Sequence, residues 1–428
     1  MKILINSASA KLGGGVTYIT NVLRSLPGPE SGHEFEVYLP PETARKQSGL
    51  PPNVRVVETN IGHAGLLKRL WWEQVTLRRR LREIRADVLF STGGFAMFRC
   101  PVQQVLLVSN ALYFSQLYRQ ELLPRHPWRL RLQFHLRSWL TRRSVESAAL
   151  AMTPSHAARD ELLEAVKVDS GKVVVNPYGV AEEDFPTLGF ANDATSPIQN
   201  TSHHRVHGGS RRNLGSARLC ELCGESLPSH TATNAVTSGP ENLRLLYVSI
   251  YSDHKNLTTL LRALALLNRN GGPRFRLTTT VNPGREGTQW TCHRAADLAL
   301  ARDRAVAPWV EFVGPLGPEE ARRLYRDADI FVFPSLVESF GHPMMEAMAA
   351  GLPIVAADTP INREVCGESA EYFRPLSPNH LAARLQHLAA NPELQYRRGK
   401  IGCGRARNAA GWQEHVEKML ALSATTDN

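Results

Sequence analysis

The stretch ESFGHPMMEAMAAGLPIVAA, residues 338–357, places two glutamates eight positions apart, with a glycine and a proline between them. It follows the apolar run DIFVFPS, which is typical of a buried strand. Pro343 suits the first residue of a helix, and Gly351 suits the position just past its end. The order of strand, loop and helix is typical of an α/β protein. The free N–H groups of such a helix point at whatever lies above the strand's carboxyl end, which makes a ready phosphate site.

The two glutamates, Glu338 and Glu346, are candidates for binding a ligand in that place. Glu338 is expected in the loop and Glu346 in the first helical turn, so both would face one crevice. An ionised carboxylate only accepts hydrogen bonds, so beside a phosphate it suits the hydroxyl groups of a ribose or another sugar. The alternative is that Glu338 is a solvated loop residue and Glu346 a partner of the helix dipole.

The segment resembles the signature of the retaining glycosyltransferases of family 4, the EX7E motif, in proteins with the GT-B fold. The resemblance implies that Glu338 is catalytic and lies against the transferred sugar, while Glu346 binds the ribose of the nucleotide. It also implies that backbone amides of the intervening turn meet the sugar and the phosphates. The residues of that turn are Ser339, Phe340, Gly341 and His342.

A second match to the family lies in YVSIYSDHKNLTTLLRAL, residues 247–264. Lys255 stands between a predicted strand and a predicted helix capped by Asn256, where a flexible cation suits a diphosphate. Relatives commonly have an arginine five residues before this lysine, and this chain has Ile250 there. The alternative for Lys255 is a solvated loop lysine.

The third match is the glycine-rich loop of SASAKLGGGVTYITN, residues 7–21, with Gly14 and Gly15 as donor-binding candidates before a helix predicted from Val16. A dinucleotide-binding fingerprint fails here because no third glycine follows at the required spacing. Many relatives also carry a histidine after the strand of QQVLLVSN, where this chain has Asn110. Either the acceptor side is arranged differently or the chemistry is impaired.

The order of apolar and amphipathic runs over the 428 residues predicts two α/β units. The resemblance implies two Rossmann-like domains facing a central cleft. Residues 1–176 would bind the acceptor, together with a C-terminal helix at about 407–423 that packs back on this domain. Residues 177–406 would bind the nucleotide sugar.

A polar stretch at about 186–242 interrupts the second domain and is predicted to be a disordered insertion, since it has too little apolar periodicity to form a core. Its Cys220 and Cys223 make one half of a zinc site, but no second half follows at standard spacing.

Two segments of the first half are basic and apolar at helical spacing. Residues 66–85 carry seven basic and two acidic side chains, and residues 125–143 carry six basic side chains, no acidic one and two tryptophans. Such segments suit an anionic membrane surface. The alternative is a pair of solvated helix faces whose tryptophans and leucines pack into the core. No recognised nucleic-acid module accompanies them, so no nucleic-acid partner is expected.

The sequence therefore predicts an enzyme that moves a hexosyl-type sugar from a nucleotide diphosphate sugar to an acceptor with retention of configuration. A lipid-linked glycan of cell-surface polysaccharide synthesis is the acceptor class considered. No cofactor and no metal are expected, because Lys255 and the helix end can carry the leaving charge. The alternatives on the same fold are an epimerase or a phosphorylase, and a non-catalytic nucleotide-sugar-binding protein is the alternative from another class.

The expected location is the cytoplasm, with peripheral attachment to the cytoplasmic face of the membrane. The six cysteines are scattered rather than arranged as a disulfide framework, which fits a reducing compartment. No apolar run is long enough for a membrane-spanning helix.

Overall fold

The computed structural model of the chain describes residues 1–11, 13–180, 242–269, 274–284 and 290–424. The predicted insertion at 186–242, with Cys220 and Cys223, lies outside the described residues except for Asn242.

The first domain is built on a parallel sheet that has seven strands in the described part of the chain. Their order across the sheet is β3-β2-β1-β4-β5-β6-β7. The strands are β1 (Lys2–Asn6), β2 (Glu34–Leu39), β3 (Val54–Glu58), β4 (Val88–Ser91), β5 (Gln103–Leu107), β6 (Leu150–Thr153) and β7 (Val173–Val175).

The second domain is built on a parallel sheet with six described strands in the order β10-β9-β8-β11-β12-β13. The strands are β8 (Asn242–Tyr247), β9 (Arg274–Thr279), β10 (Val310–Phe312), β11 (Ile330–Phe333), β12 (Ile354–Ala357) and β13 (Ala370–Phe373).

Helices cover the sheets and connect the strands. In the described residues they are α1 (Gly14–Arg24), α2 (Pro41–Ala44), α3 (Leu66–Trp72), α4 (Arg78–Glu83), α5 (Trp128–Ser147), α6 (His156–Ala165), α7 (Leu257–Leu267), α8 (Arg294–Arg302), α9 (Pro318–Asp327), α10 (His342–Ala349), α11 (Pro360–Cys366), α12 (Pro378–Ala389), α13 (Pro392–Arg407) and α14 (Trp412–Ala424). Two π-helical turns, Glu73–Leu77 and Tyr118–Leu122, lie in the first domain.

Central strands such as β11 and β12 are buried along their whole length, as expected when helices cover both faces of a parallel sheet. This explains why the strands appear in the sequence as continuous apolar runs. The two α/β units predicted from these runs, and the Rossmann-like domains that the family resemblance implies, are confirmed.

The strand order places the candidate site. In the first sheet the direction in which successive strands are added reverses between β1 and β4, and in the second it reverses between β8 and β11, although all these strands run parallel. Ligands of such sheets bind beyond the carboxyl ends of the strands at this reversal. The glycine-rich loop follows β1, Lys255 follows β8 and Glu338 follows β11, so all three lie at such ends.

Two helix starts differ from the sequence prediction. Helix α1 begins at Gly14 rather than Val16, because Gly13 takes a positive φ of 59° that turns the chain into the helix. Helix α10 begins at His342, one residue before Pro343. Glu346 therefore lies in its second turn, and the first turn holds no acidic residue.

The C-terminal helix α14 packs on the first domain. The hydroxyl of Tyr18 in α1 lies 3.2 Å from Nε2 of His415, and Gln103 Nε2 donates to the carbonyl of Leu422 over 3.3 Å. No helix in the described ranges is long and apolar enough to span a bilayer.

Candidate functional site

An ion pair between Lys255 and Glu338 lies at the centre of the candidate site. Lys255 ends a short 3-10 turn, Asp253–Lys255, after β8, and its Nζ lies 2.5 Å from Glu338 Oε1. The hydroxyl of Ser335 donates to the same oxygen over 2.6 Å. Both charged side chains are only 13% exposed. The structure thus holds the carboxylate of Glu338 in one orientation by a cation and a hydroxyl.

The turn that carries Lys255 is fixed by contacts to the neighbouring strand and loop. Asn256 adopts the left-handed region with φ 57°, and its Nδ2 donates to the carbonyl of Pro334 over 3.1 Å. Its Oδ1 accepts from the hydroxyl of Thr259 over 2.7 Å. Asn256 therefore occupies the N-cap position predicted for it, but its side chain does not bond a backbone N–H there. Instead it joins this turn to the loop before Glu338.

The turn between Glu338 and α10 is shaped by Gly341. This residue has φ 84°, and an added Cβ would lie 2.5 Å from Cε of Met344, so another residue would be strained and crowded there. Phe340 is buried. The ring of His342 stacks on Tyr178 at 5.1 Å with an interplanar angle of 4°. These two side chains serve packing, so Phe340 and His342 can offer a ligand their backbone amides.

Burial lowers the pKa of His342 to about 4, and His415 adds to this shift. Nε2 of His342 is a buried atom without a hydrogen-bond partner among the described residues. The imidazole is therefore neutral at physiological pH.

Glu346 has a separate partner. The hydroxyl of Tyr325, from α9, donates to its Oε2 over 2.6 Å. Sequence reasoning did not find Tyr325, because nothing in the motif around Glu346 identifies a partner from another helix. The bond fixes the carboxylate of Glu346 independently of Glu338.

The glycine-rich loop of the first domain faces the second domain. Gly13, Gly14 and Gly15 are exposed, and an added Cβ on Gly13 would lie 3.8 Å from Cδ1 of Ile250. Ile250 is itself 47% exposed. A ligand in the cleft would therefore meet an apolar side chain at the position where the family resemblance implies an arginine.

Asn110, at the position where the family resemblance implies a histidine, has a local structural role. It precedes a 3-10 turn, Ala111–Tyr113, and its side chain accepts from the backbone N–H of Leu112 over 3.2 Å.

Two sets of hydrogen bonds, which the sequence did not indicate, join the two domains beside the site. The hydroxyl of Ser155 donates to the carbonyl of Ser339 over 2.7 Å. The carboxylate of Glu364 in α11 accepts from the backbone N–H groups of His156 and Ala157 over 2.8 and 2.6 Å. Glu364 thus binds the N-terminus of α6 from the other domain, where the helix dipole favours a negative charge.

A cavity of about 220 Å³ lies between α6 and the loop of Glu338. Its lining is mostly apolar and includes three acidic residues, Glu161, Glu338 and Asp358. Burial, with a smaller contribution from Glu164, raises the pKa of Glu161 to about 7. The cavity combines acceptors for hydroxyl groups with apolar walls, which suits a small uncharged polyol better than an anion.

The chain matches known families over both domains. Residues 233–403 match the family described as Glycosyl transferases group 1, and residues 12–184 match the family described as Glycosyltransferase Family 4.

Curated relatives include D-inositol 3-phosphate glycosyltransferases. That of Actinosynnema mirum is 32% identical over 44% of this chain and 46% of the relative. That of Corynebacterium kroppenstedtii is 26% identical over 81% of this chain and 70% of the relative. An MMP alpha-(1->4)-mannosyltransferase of Mycolicibacterium hassiacum is 29% identical over 39% of each chain. The alignments thus span less than half of the first and last of these relatives.

Solved structures of similar fold include a sucrose-phosphate synthase of Thermosynechococcus elongatus, with a TM-score of 0.68, 17% identity and 98% of each chain covered. HepE of Anabaena in complex with UDP-glucose has a TM-score of 0.64 and 16% identity, over 99% of this chain and 100% of that chain.

The two facing parallel-sheet domains and the cleft between them define a GT-B protein. Within that class, the second domain is similar to the glycosyl transferases of group 1 and the first domain to Glycosyltransferase Family 4.

Proposed function

We propose that this protein transfers a glycosyl group from a nucleoside diphosphate sugar to a hydroxyl acceptor with retention of anomeric configuration. The observation that carries the proposal is the position of Glu338, which is held by Lys255 and Ser335 at the start of the turn into α10. Glu338 thereby brings a fixed negative charge to the place where a GT-B cleft would hold the reacting sugar.

The donor would lie across the turn into α10. Amides of residues 339–342 would bind the sugar and the diphosphate, and exposed amides at Gly14 and Gly15 would approach the phosphates from the other domain. Glu346, oriented by Tyr325, would accept from the ribose hydroxyls. The cation of Lys255 would reach the diphosphate from the turn after β8. The donor is a substrate, and no cofactor is part of this proposal.

In the reaction, the bond between the anomeric carbon and the diphosphate oxygen breaks, and a bond to the acceptor oxygen forms on the same face. The acceptor proton passes to the departing phosphate oxygen. Glu338 would stabilise the positive charge that develops on the sugar, while Lys255 and the α10 N-terminus would stabilise the negative charge on the diphosphate. This division of charges requires no metal ion.

The first domain carries a surface suited to a membrane-bound acceptor. Among the described residues, the exposed large hydrophobic side chains other than Ile250 all belong to the two basic segments: Leu67, Trp71 and Val75 in one, and Trp128, Leu132, Leu136 and Trp139 in the other. The sequence alternative in which the tryptophans pack into the core is wrong for Trp71, Trp128 and Trp139, which are 62%, 64% and 54% exposed.

The four apolar residues of α5 lie within about 80° of one another around the helix axis and form one stripe. Exposed arginines, among them Arg129, Arg131 and Arg143, stand beside this stripe. An apolar stripe with basic neighbours fits the headgroup region of an anionic bilayer. We therefore propose a lipid-linked acceptor, used by a peripheral protein on the cytoplasmic face of the membrane in the synthesis of a cell-surface glycan.

The experiment that tests the catalytic proposal incubates the protein with a panel of nucleotide sugars and a membrane lipid extract. Release of nucleoside diphosphate together with a glycosylated lipid is expected, and Glu338→Gln should lower turnover about 100-fold. Glu311→Gln, an exposed glutamate of β10, is the matched control. Equal turnover in wild type and Glu338→Gln would refute the role of Glu338.

The same panel separates the alternatives. An epimerase would interconvert nucleotide sugars without acceptor, and a phosphorylase would require inorganic phosphate. A binding protein would show tight nucleotide-sugar binding by calorimetry and no turnover with any acceptor.

A further inference from the structure

Three side chains with metal-binding atoms meet where the two domains touch, beside the turn that carries Lys255. His126 precedes α5 in the first domain, and Asp253 and Cys292 follow β8 and β9 in the second. Their ligand atoms all lie within 4.8 Å of one another. The side chains of His126 and Asp253 are fully buried, and Cys292 is a half-buried free thiol.

The spacing of the ligand atoms suits a shared ion. Nε2 of His126 lies 3.6 Å from Oδ2 of Asp253, which is too long for a hydrogen bond between them. Nitrogen and oxygen ligands of a tetrahedral zinc ion, each about 2.0–2.1 Å from the metal, lie about 3.3 Å apart. A shift of a few tenths of an ångström would therefore bring these two atoms to metal-binding distance.

The carboxylate of Asp253 is held in place by the backbone. Its Oδ2 accepts from the N–H of Cys292 over 2.6 Å, and its Oδ1 accepts from the N–H of His293 over 3.2 Å. On the other side, the hydroxyl of Tyr118 lies 2.9 Å from Nε2 of His126. An ion at this nitrogen would replace the contact with Tyr118. Tyr118 begins a π-helical turn, a feature that often marks functional sites.

We propose that His126, Asp253 and Cys292 bind one zinc ion that joins the two domains, with water as the fourth ligand. A set of one imidazole nitrogen, one carboxylate oxygen and one thiolate sulfur suits zinc. On binding, the S–H bond of Cys292 breaks, its proton passes to solvent and a zinc–sulfur bond forms. Because Asp253 begins the turn that ends at Lys255, the ion would fix this turn against the first domain.

The site is separate from the chemistry proposed above, which requires no metal, and it differs from the half site predicted at Cys220 and Cys223. Since that cysteine pair could also bind metal, the test uses the full chain with Cys220→Ser and Cys223→Ser. The apoprotein is titrated with Co²⁺ as a spectroscopic probe. One equivalent should give d–d bands and a near-ultraviolet charge-transfer band from a thiolate to Co²⁺.

Adding Cys292→Ser to this chain should abolish the charge-transfer band and weaken binding at least about tenfold. Cys100→Ser is the matched control, because Cys100 is another half-buried free thiol and lies outside the cluster. Binding of Co²⁺ without a thiolate band, or a band that Cys292→Ser leaves unchanged, would overturn the proposal.

A second readout avoids any dependence on the folding of a Cys292 variant. In the Cys220→Ser, Cys223→Ser chain, Zn²⁺ should slow alkylation of Cys292 and leave alkylation of Cys100 unchanged, as measured by mass spectrometry of the peptides. Equal alkylation rates of Cys292 with and without Zn²⁺ would refute the site. Neither readout measures glycosyl transfer, so their failure would leave the proposed activity untouched.

Discussion

Lys255 Nζ and Glu338 Oε1 lie 2.5 Å apart, although the two residues are separated by 83 positions and follow different strands. The proposed mechanism gives these groups different targets, the diphosphate for the lysine and the sugar for the glutamate. In that mechanism their contact would place the two targets side by side, as they are at the bond between the anomeric carbon and the phosphate oxygen.

Lys255→Gln should weaken binding of a nucleoside diphosphate about tenfold to 100-fold, since a hydrogen bond from a charged group contributes about 1.5–3 kcal/mol. Turnover should also fall, because Glu338 loses the cation that orients it. Titration calorimetry with a nucleoside diphosphate measures the first effect. Lys167→Gln, at an exposed position after α6, is the control. Unchanged affinity in Lys255→Gln would exclude a contact between Lys255 and the diphosphate.

Ile250→Arg should strengthen binding of a nucleoside diphosphate about tenfold. Ile250 is exposed and faces the glycine-rich loop across the cleft, so a guanidinium there can reach the phosphates. The same calorimetric titration measures the gain. Ile250→Gln introduces a polar side chain without the charge and should give no gain in affinity. If both variants bind like wild type, the diphosphate does not lie beside Ile250.

Glu364→Ala should lower the free energy of unfolding by about 2 kcal/mol, because it removes two charge-assisted hydrogen bonds to the N-terminus of α6. It should also favour an open arrangement of the domains, visible as a larger radius of gyration in small-angle X-ray scattering. Glu368→Ala, an exposed glutamate nearby in the chain, is the control. An effect no larger than that of the control would show that the contact does not hold the domains together.

The two sheets and the strand, turn and helix around Glu338 could be predicted from the sequence. Strands covered on both faces are continuous apolar runs, and the turn into α10 is encoded locally by Gly341 and Pro343. Contacts between distant elements were not predictable. The bond from Tyr325 to Glu346 and the capping of α6 by Glu364 depend on how whole helices pack, and no local pattern indicates either partner.

The packing of the two basic segments also could not be predicted from the local sequence. Helical spacing indicates that Trp128, Leu132, Leu136 and Trp139 share one face of a helix, but it does not tell whether that face meets the core or the solvent. The structure decides this, since the opposite face of α5 supplies the buried residues Phe134 and Val145.

His342→Phe should make the protein less sensitive to acid. The pKa of His342 is about 4 in the folded protein and about 6.5 in an unfolded chain. Between these values only the unfolded state binds the proton, so this residue's contribution to stability is complete above pH 6.5 and is lost as the pH falls towards 4. Phenylalanine keeps the stack on Tyr178 and removes the titration.

Thermal unfolding at pH 7.5 and pH 5 measures this effect. The drop in melting temperature between the two pH values should be smaller in His342→Phe than in wild type. It should not vanish, because burial also lowers the pKa of His415 to about 4. His387→Phe, at an exposed position of α12, should behave like wild type. An identical acid-induced drop in His342→Phe and wild type would contradict the assigned pKa shift.

The exposed tryptophans of the first domain should bind the protein to anionic membranes. Trp128→Ser with Trp139→Ser, and separately Trp71→Ser, should each weaken sedimentation with anionic vesicles at least about tenfold, since burial of a large apolar side chain contributes about 1.5–3 kcal/mol. Binding by wild type should also fall with added salt and be weak on zwitterionic vesicles, because the arginines beside the stripe act through charge. Ile250→Ser, which removes an exposed apolar side chain outside both segments, is the control and should sediment like wild type. If the tryptophan variants bind vesicles as well as wild type, this surface does not bind membranes, and the support for a lipid-linked acceptor is lost.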